Sequence, residues 1–146
     1  MSSFSKIQRR AATAATRAIY ARLAGITVER NCIGRAQCCQ FRLTGKTPHL
    51  TRGEALTTWA AVKAGGRKTL PASIAGACPL LHPETQRCLV YEGRPFGCRT
   101  HFCAAAGGPY PREKVVDLIR ELEKIDAAHG GDGSKPLESA LREVMD

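Results

Sequence analysis

Aromatic side chains are scarce in this chain: one Trp, three Tyr and four Phe among 146 residues. A core made mainly of Ala, Leu, Val and Ile can hold helices together. The middle of the chain, rich in Gly, Pro and Cys, has little apolar surface to set against its ordering entropy, so something else must fix it. Long hydrophobic runs are missing too. No stretch approaches the ~18 apolar residues of a membrane span, and no apolar h-region opens the chain, so a soluble protein without a Sec-type secretory signal is expected. There is no G-x-G-x-x-G or comparable phosphate loop, no paired carboxylate and no nucleophile–base signature, which removes the motifs by which common enzyme classes are recognised. An even cysteine count is also lacking. With seven thiols any intramolecular disulfide scheme leaves one over, and disulfides are rare in reducing compartments.

What the chain does have is those cysteines, and their placing. CPLLHPETQRCLVYEGRPFGCRTHFC carries Cys78, Cys88, Cys98 and Cys103, with Pro79, Pro83, Pro95 and Gly97 turning the chain between them. Upstream, CIGRAQCC carries Cys32, Cys38 and Cys39. Thiols distant in sequence can thereby converge on one point, as a metal site requires. Thiolate is the ligating form and positive charge favours it; Arg87, Arg94 and Arg99 sit among the sulfurs. Adjacent Cys38 and Cys39 point in different directions, which suits a cluster or two neighbouring sites better than one mononuclear site; the alternative for Cys39 is a small buried hydrophobe. His101, between Cys98 and Cys103, could replace a cysteine as a zinc ligand, with His82 and His49 behind it.

The local pattern predicts a mainly α fold: a small single domain, three to four helices around an irregular cysteine-rich metal-binding core, with at most a short strand pair. Residues 1–29 are expected to form a basic amino-terminal helix. Its core is residues 5–23, with Ile7, Ala11, Ala15, Ala18 or Ile19, and Arg22 or Leu23 at the spacing of a packing face. Residues 30–108 form the metal-binding core. Within it Thr51 and Glu54 make a capping box for a helix that carries Trp59 inward and stops at Gly65-Gly66, and Cys88-Leu89-Val90-Tyr91 reads as a short strand. Residues 109–146 form a carboxy-terminal helical segment packed on the same domain. One helix opens at Pro111, with Val115, Leu118, Ile119, Leu122 and Ile125 on one face, and closes at His129-Gly130-Gly131. A last one bears Leu137, Ala140, Leu141 and Val144.

The net charge of +9 is uneven: +5 over residues 1–31, +8 over 32–112 and −4 over 113–146. The basic part is the cysteine part. Two readings follow, an anionic partner such as nucleic acid, or internal compensation, since four thiolates around one divalent metal leave a negative site that arginines offset. With no membrane span or secretory signal, the cytoplasm is the expected location. The Arg-, Ser- and Ala-rich, acid-poor opening also has the look of an organelle transit peptide.

Taken together, CIGRAQCC and the stretch from Cys78 to Cys103 resemble the YkgJ-type cysteine-cluster family of zinc- or iron-chelating domains. That family's pattern is a C-x2-C-x2-C-C group, a helix with an acidic residue near its start, a C-P-x-L turn, a C-x-x-Y segment and an R-P-x-x-C-R ending near one more cysteine. Cys32, Cys38 and Cys39 match the first group, and Glu54 the helix. Cys78-Pro79 and Leu81, Cys88 and Tyr91, Arg94-Pro95, Cys98-Arg99 and Cys103 match the rest. The resemblance implies a bound zinc or iron, an iron–sulfur cluster included, held by the seven cysteines with Arg94 and Arg99 beside it. One departure stands out: Arg35 takes the place of the second cysteine, and a guanidinium cannot ligate in its stead. Part of the flagellin lysine N-methylases has a similar cysteine pattern, but this chain lacks the rest of such an enzyme.

Three readings of function follow. A metal-binding cysteine-cluster protein needs only the sulfurs, whose softness suits both zinc and iron. A metal-dependent enzyme acting on a protein or small molecule would admit substrate at the Arg35 gap, with Tyr91, Arg94, Arg99 or His101 orienting it. A basic nucleic-acid adaptor folded by zinc would need regular ligand pairs before a reading helix. Here the intervening residues number five, zero, thirty-eight, nine, nine and four, which matches no such module. The first reading is the one the residues favour.

Overall fold

A computed structural model of the chain describes residues 5–26, 48–71, 78–80, 88–100 and 110–146. In chain order the described elements are α1 (Lys6–Ala24), β1 (His49–Leu50), α2 (Arg52–Ala64), a 3-10 turn (Tyr91–Gly93), α3 (Phe96–Thr100), α4 (Arg112–Ala128), β2 (Lys135–Pro136) and α5 (Leu137–Val144). The molecule is mainly helical, a small single domain with one two-stranded antiparallel sheet among the described residues. None of the described helices is long and apolar enough to cross a membrane.

Caps set where the helices begin. Ser5 and Gln8 exchange hydrogen bonds in a capping box at the head of α1, and Thr51 and Glu54 do so at the head of α2. Pro111 precedes α4 and Pro136 precedes α5, where the ring's fixed φ suits a helix start and its missing N–H leaves no donor orphaned. Gly66, in the left-handed region at φ +87°, turns the chain away beyond α2.

α2 is the centre of the packing: α1, α4, α5 and the 3-10 turn all lie against it. Consistent with that place, every residue from Gly53 to Trp59 is buried. One core joins Leu56, Trp59 and Val62 of α2 to Leu137, Leu141 and Val144 of α5, and takes in Cys78, Leu80 and Val90. A second joins Ile19, Tyr20 and Leu23 of α1 to Phe96 and to Val115, Leu118 and Leu122 of α4. The helices meet closely at Gly53, where a Cβ would stand 2.6 Å from Thr16 Oγ1 and 2.8 Å from Ile125 Cγ2. Glycine there lets α1 and α4 approach α2 together. The sheet pairs His49 with Pro136 and Leu50 with Lys135, and the Leu137 amide donates to the Pro48 carbonyl at 3.0 Å, which docks the start of α5 beside α2.

Two local expectations are corrected. The packing face of α1 is Ala12, Thr16, Ile19, Tyr20 and Leu23, whereas Ala11 and Ala15 are exposed and Ile7 is 81% exposed. Alanines recur too often in this helix to mark one face, so the larger Tyr20 and Leu23 decide its rotation. Cys88–Tyr91 is no strand: Cys88 makes a single bridge, and the chain then tightens through a turn into the 3-10 segment.

Candidate metal centre

Three of the predicted ligands, Cys78, Cys88 and Cys98, belong to the described residues. Cys32, Cys38, Cys39 and Cys103 lie outside them, as do Arg35, His82 and His101. Cys78 is 6% exposed and opens the buried Cys78-Pro79-Leu80 turn against the Trp59 core. Cys88 is half-buried at the rim of the same core. The Leu89 amide donates to the Leu80 carbonyl at 2.7 Å, so two cysteine segments that are ten residues apart run side by side. Among the described residues no disulfide joins any two of the three cysteines, and no three His, Cys, Asp or Glu side chains cluster as a metal site. His49 sits exposed on β1.

From Val90 the chain is pressed onto α2. Gly93 donates its amide to the Val90 carbonyl at 2.7 Å, and its own carbonyl accepts from Thr58 Oγ1 at 2.8 Å. A Cβ on Gly93 would stand 2.5 Å from that of Ala61. Arg94-Pro95 then leads into α3, with Cys98 half-buried at its middle.

What holds α3 is a buried carboxylate. Glu54 is 3% exposed. Its Oε2 accepts from the Thr51 amide and hydroxyl, both at 2.9 Å, completing the α2 cap. Its Oε1 accepts from the Phe96 amide at 2.7 Å and from the Tyr20 hydroxyl at 3.4 Å. Phe96 begins α3, where an amide has no partner within the helix, so one side chain caps two helices at once. Below it the Arg99 guanidinium lies over the Tyr20 ring, 4.1 Å from the centroid, a cation–π contact. Arg99 Nε donates to the Arg94 carbonyl at 2.7 Å, and Nη2 donates to the Glu92 carbonyl. The segment carrying Cys98 is thus tied at its start by Glu54 and along its length by Arg99.

Burial governs the ionisation of this group. It raises the Tyr20 phenol well above its ordinary pKa; the Glu54 charge adds to that and Arg99 opposes it. Burial likewise raises the Glu54 carboxyl, against the pull of the Thr51 and Phe96 amides and the Thr51 and Tyr20 hydroxyls. It lowers the Arg99 guanidinium, which Tyr20 counters. Beside α3 a cavity of about 780 Å³ opens between Glu54, Phe96, Tyr110 and the face of α4.

The capping role of Glu54 was legible from its spacing to Thr51. Its second cap was not, and neither were Tyr20 or Asp126. Asp126 is buried, with Oδ1 accepting from the Arg52 amide at 2.7 Å and Oδ2 from the Gly133 amide at 2.9 Å. The available signals were slight: Tyr20 lies next to Ile19 and three before Leu23, and Asp126 falls four residues after Leu122, on the apolar face of α4.

A protein-family model, CxxCxxCC, described as "Putative zinc- or iron-chelating domain", matches residues 31–125, which is 95 of the 146 residues. The match spans all seven cysteines, α2 and α3, and leaves α1 with Tyr20, and α5, outside it. No curated protein and no solved structure gives a match.

Proposed function

We propose, on the premise that this chain belongs to the CxxCxxCC family of zinc- or iron-chelating domains, that Cys32, Cys38, Cys39, Cys78, Cys88, Cys98 and Cys103 are its metal ligands. The observation that carries the reading is the Leu89–Leu80 hydrogen bond, which sets the Cys78 and Cys88 segments side by side on the Trp59 core. The donors fit the cargo: cysteine sulfur suits zinc, iron and iron–sulfur clusters alike. A bound cation or cluster would crosslink loops that have little hydrocarbon of their own, and its binding free energy would be folding free energy. Arg94 and Arg99 offset the charge of the thiolates, with Arg99 steered by Tyr20 and the two carbonyls it bonds. Residues 1–29, 30–108 and 109–146 would then act as a basic helix, a metal-binding core and a helical buttress of one domain.

The test is elemental analysis with an absorption spectrum on protein prepared without oxygen. Visible thiolate-to-iron absorption with iron in the protein identifies iron; a colourless protein with stoichiometric zinc identifies zinc. Absence of both metals, after reconstitution with each, would refute the assignment.

A further inference from the structure

The amino-terminal helix presents a second surface, remote in chemistry from the cysteines. Lys6, Arg10 and Arg17 are exposed along α1, beside a groove of about 440 Å³ whose floor includes Thr13, Leu56 and Ala60. A depression of about 500 Å³ continues it past Lys63 to Arg67 and Lys68, and the two share Lys63 and Asp146. Among the described residues Asp146 is the one acidic side chain that lines either. Lys6, Arg10, Arg17, Arg67 and Lys68 enter no ion pair among the described residues.

Such a trough selects an anion, and two observations say which kind. It already seats a carboxylate: Asp146 Oδ1 accepts from Trp59 Nε1 at 2.7 Å and from Lys63 Nζ at 3.0 Å, with Arg9 Nη1 4.0 Å from Oδ2. Hydrogen bonds from Lys63 and then from the indole help hold that carboxyl down at about 2. The trough also lacks a stacking platform. Trp59 is 1% exposed and no other aromatic among the described residues lines either groove, whereas single-strand binders stack bases on exposed rings.

We propose that this trough is the docking surface for an acidic segment of a partner protein, whose Asp and Glu side chains pair with Lys6, Arg10 and Arg17 in one groove and with Arg67 and Lys68 in the other. The inference does not rest on the metal reading.

The test uses the whole chain at low salt. Fluorescence anisotropy is followed with labelled peptides of alternating Glu and Ala or alternating Gln and Ala, and with a single-stranded RNA and a DNA duplex of matched charge. The Glu peptide should bind and the Gln peptide should not. Arg10→Glu with Arg17→Glu should weaken binding on the order of tenfold, as should Arg67→Glu with Lys68→Glu at the other end. Lys114→Glu with Lys124→Glu on α4 changes the net charge equally and should leave binding within about twofold. Bound metal and the circular dichroism spectrum should stay unchanged in all three. No binding of the Glu peptide, equal weakening by the α4 pair, or tighter binding of either nucleic acid would overturn the proposal.

Discussion

At Glu54 one side chain accepts from a backbone amide at the head of each of two helices, Thr51 before α2 and Phe96 in α3. Glu54→Gln keeps the shape but turns one oxygen into an N–H donor, facing either the Thr51 or the Phe96 donors. A buried group left unsatisfied costs about 1–3 kcal/mol, so the variant should melt lower by that amount and lose order in α3, read by hydrogen exchange at residues 96–100. The folded-state pKa of Glu54 is raised. Its share of stability is therefore fullest below the ordinary carboxylate pKa and declines as pH rises through the folded value. Asp146 has the opposite sign. Its pKa falls from 3.8 to about 2, so its contribution is present above pH 3.8 and is lost as pH falls through about 2. The side chain is 42% exposed, and screening reduces the effect to about 1 kcal/mol. Between neutral pH and pH 2 the wild type should lose about that much more stability than Asp146→Asn, measured by urea denaturation. Of these roles the sequence disclosed only the Thr51–Glu54 cap, because a capping box is a relation between residues three apart. The Tyr20 and Phe96 contacts join Glu54 to residues 34 and 42 positions away.

Among the elements, α2, α4 and α5 follow their local signals closely. The Thr51 cap and Gly65 bound α2, Pro111 and His129 bound α4, and Leu137, Ala140, Leu141 and Val144 are the buried face of α5. For α1 the period was readable but its rotation was not, since alanines offer several equivalent faces and Thr16 proved wholly buried. The β1–β2 pair has two residues on each side, too few for an alternation to show. The crossing at Gly53 gives the sharpest prediction at this scale. In an exposed helix Gly→Ala would stabilise, because alanine restricts the unfolded chain and suits a helix better. Here the added methyl meets Thr16 and Ile125, so Gly53→Ala should destabilise by about 1–3 kcal/mol, seen as a lower denaturation midpoint with an unchanged slope.

For the molecule as a whole, the long helices pack around two hydrocarbon cores, which the described cysteine segments join through a few residues, Cys78, Leu80 and Val90 in the first and Phe96 in the second. Loss of metal should therefore affect the cysteine segments more than the long helices. Cys98→Ser should lower bound metal and speed hydrogen exchange over residues 70–110, while exchange in α4, packed on α1 through Leu118 and Leu122, stays slow. Unchanged metal and an unchanged melting curve would count against the ligand set. The sequence alone determined the helical class and the extents of α2, α4 and α5, because caps and periodicity are properties of neighbouring residues. Only the tertiary structure decided that Glu54 caps α3 as well as α2, that Tyr20 underlies Arg99, that Gly53 is where three helices meet, and that the charges of α1 and the end of α2 form one trough. Each of those depends on which distant segments touch, and that is set by the burial of whole faces rather than by any local pattern.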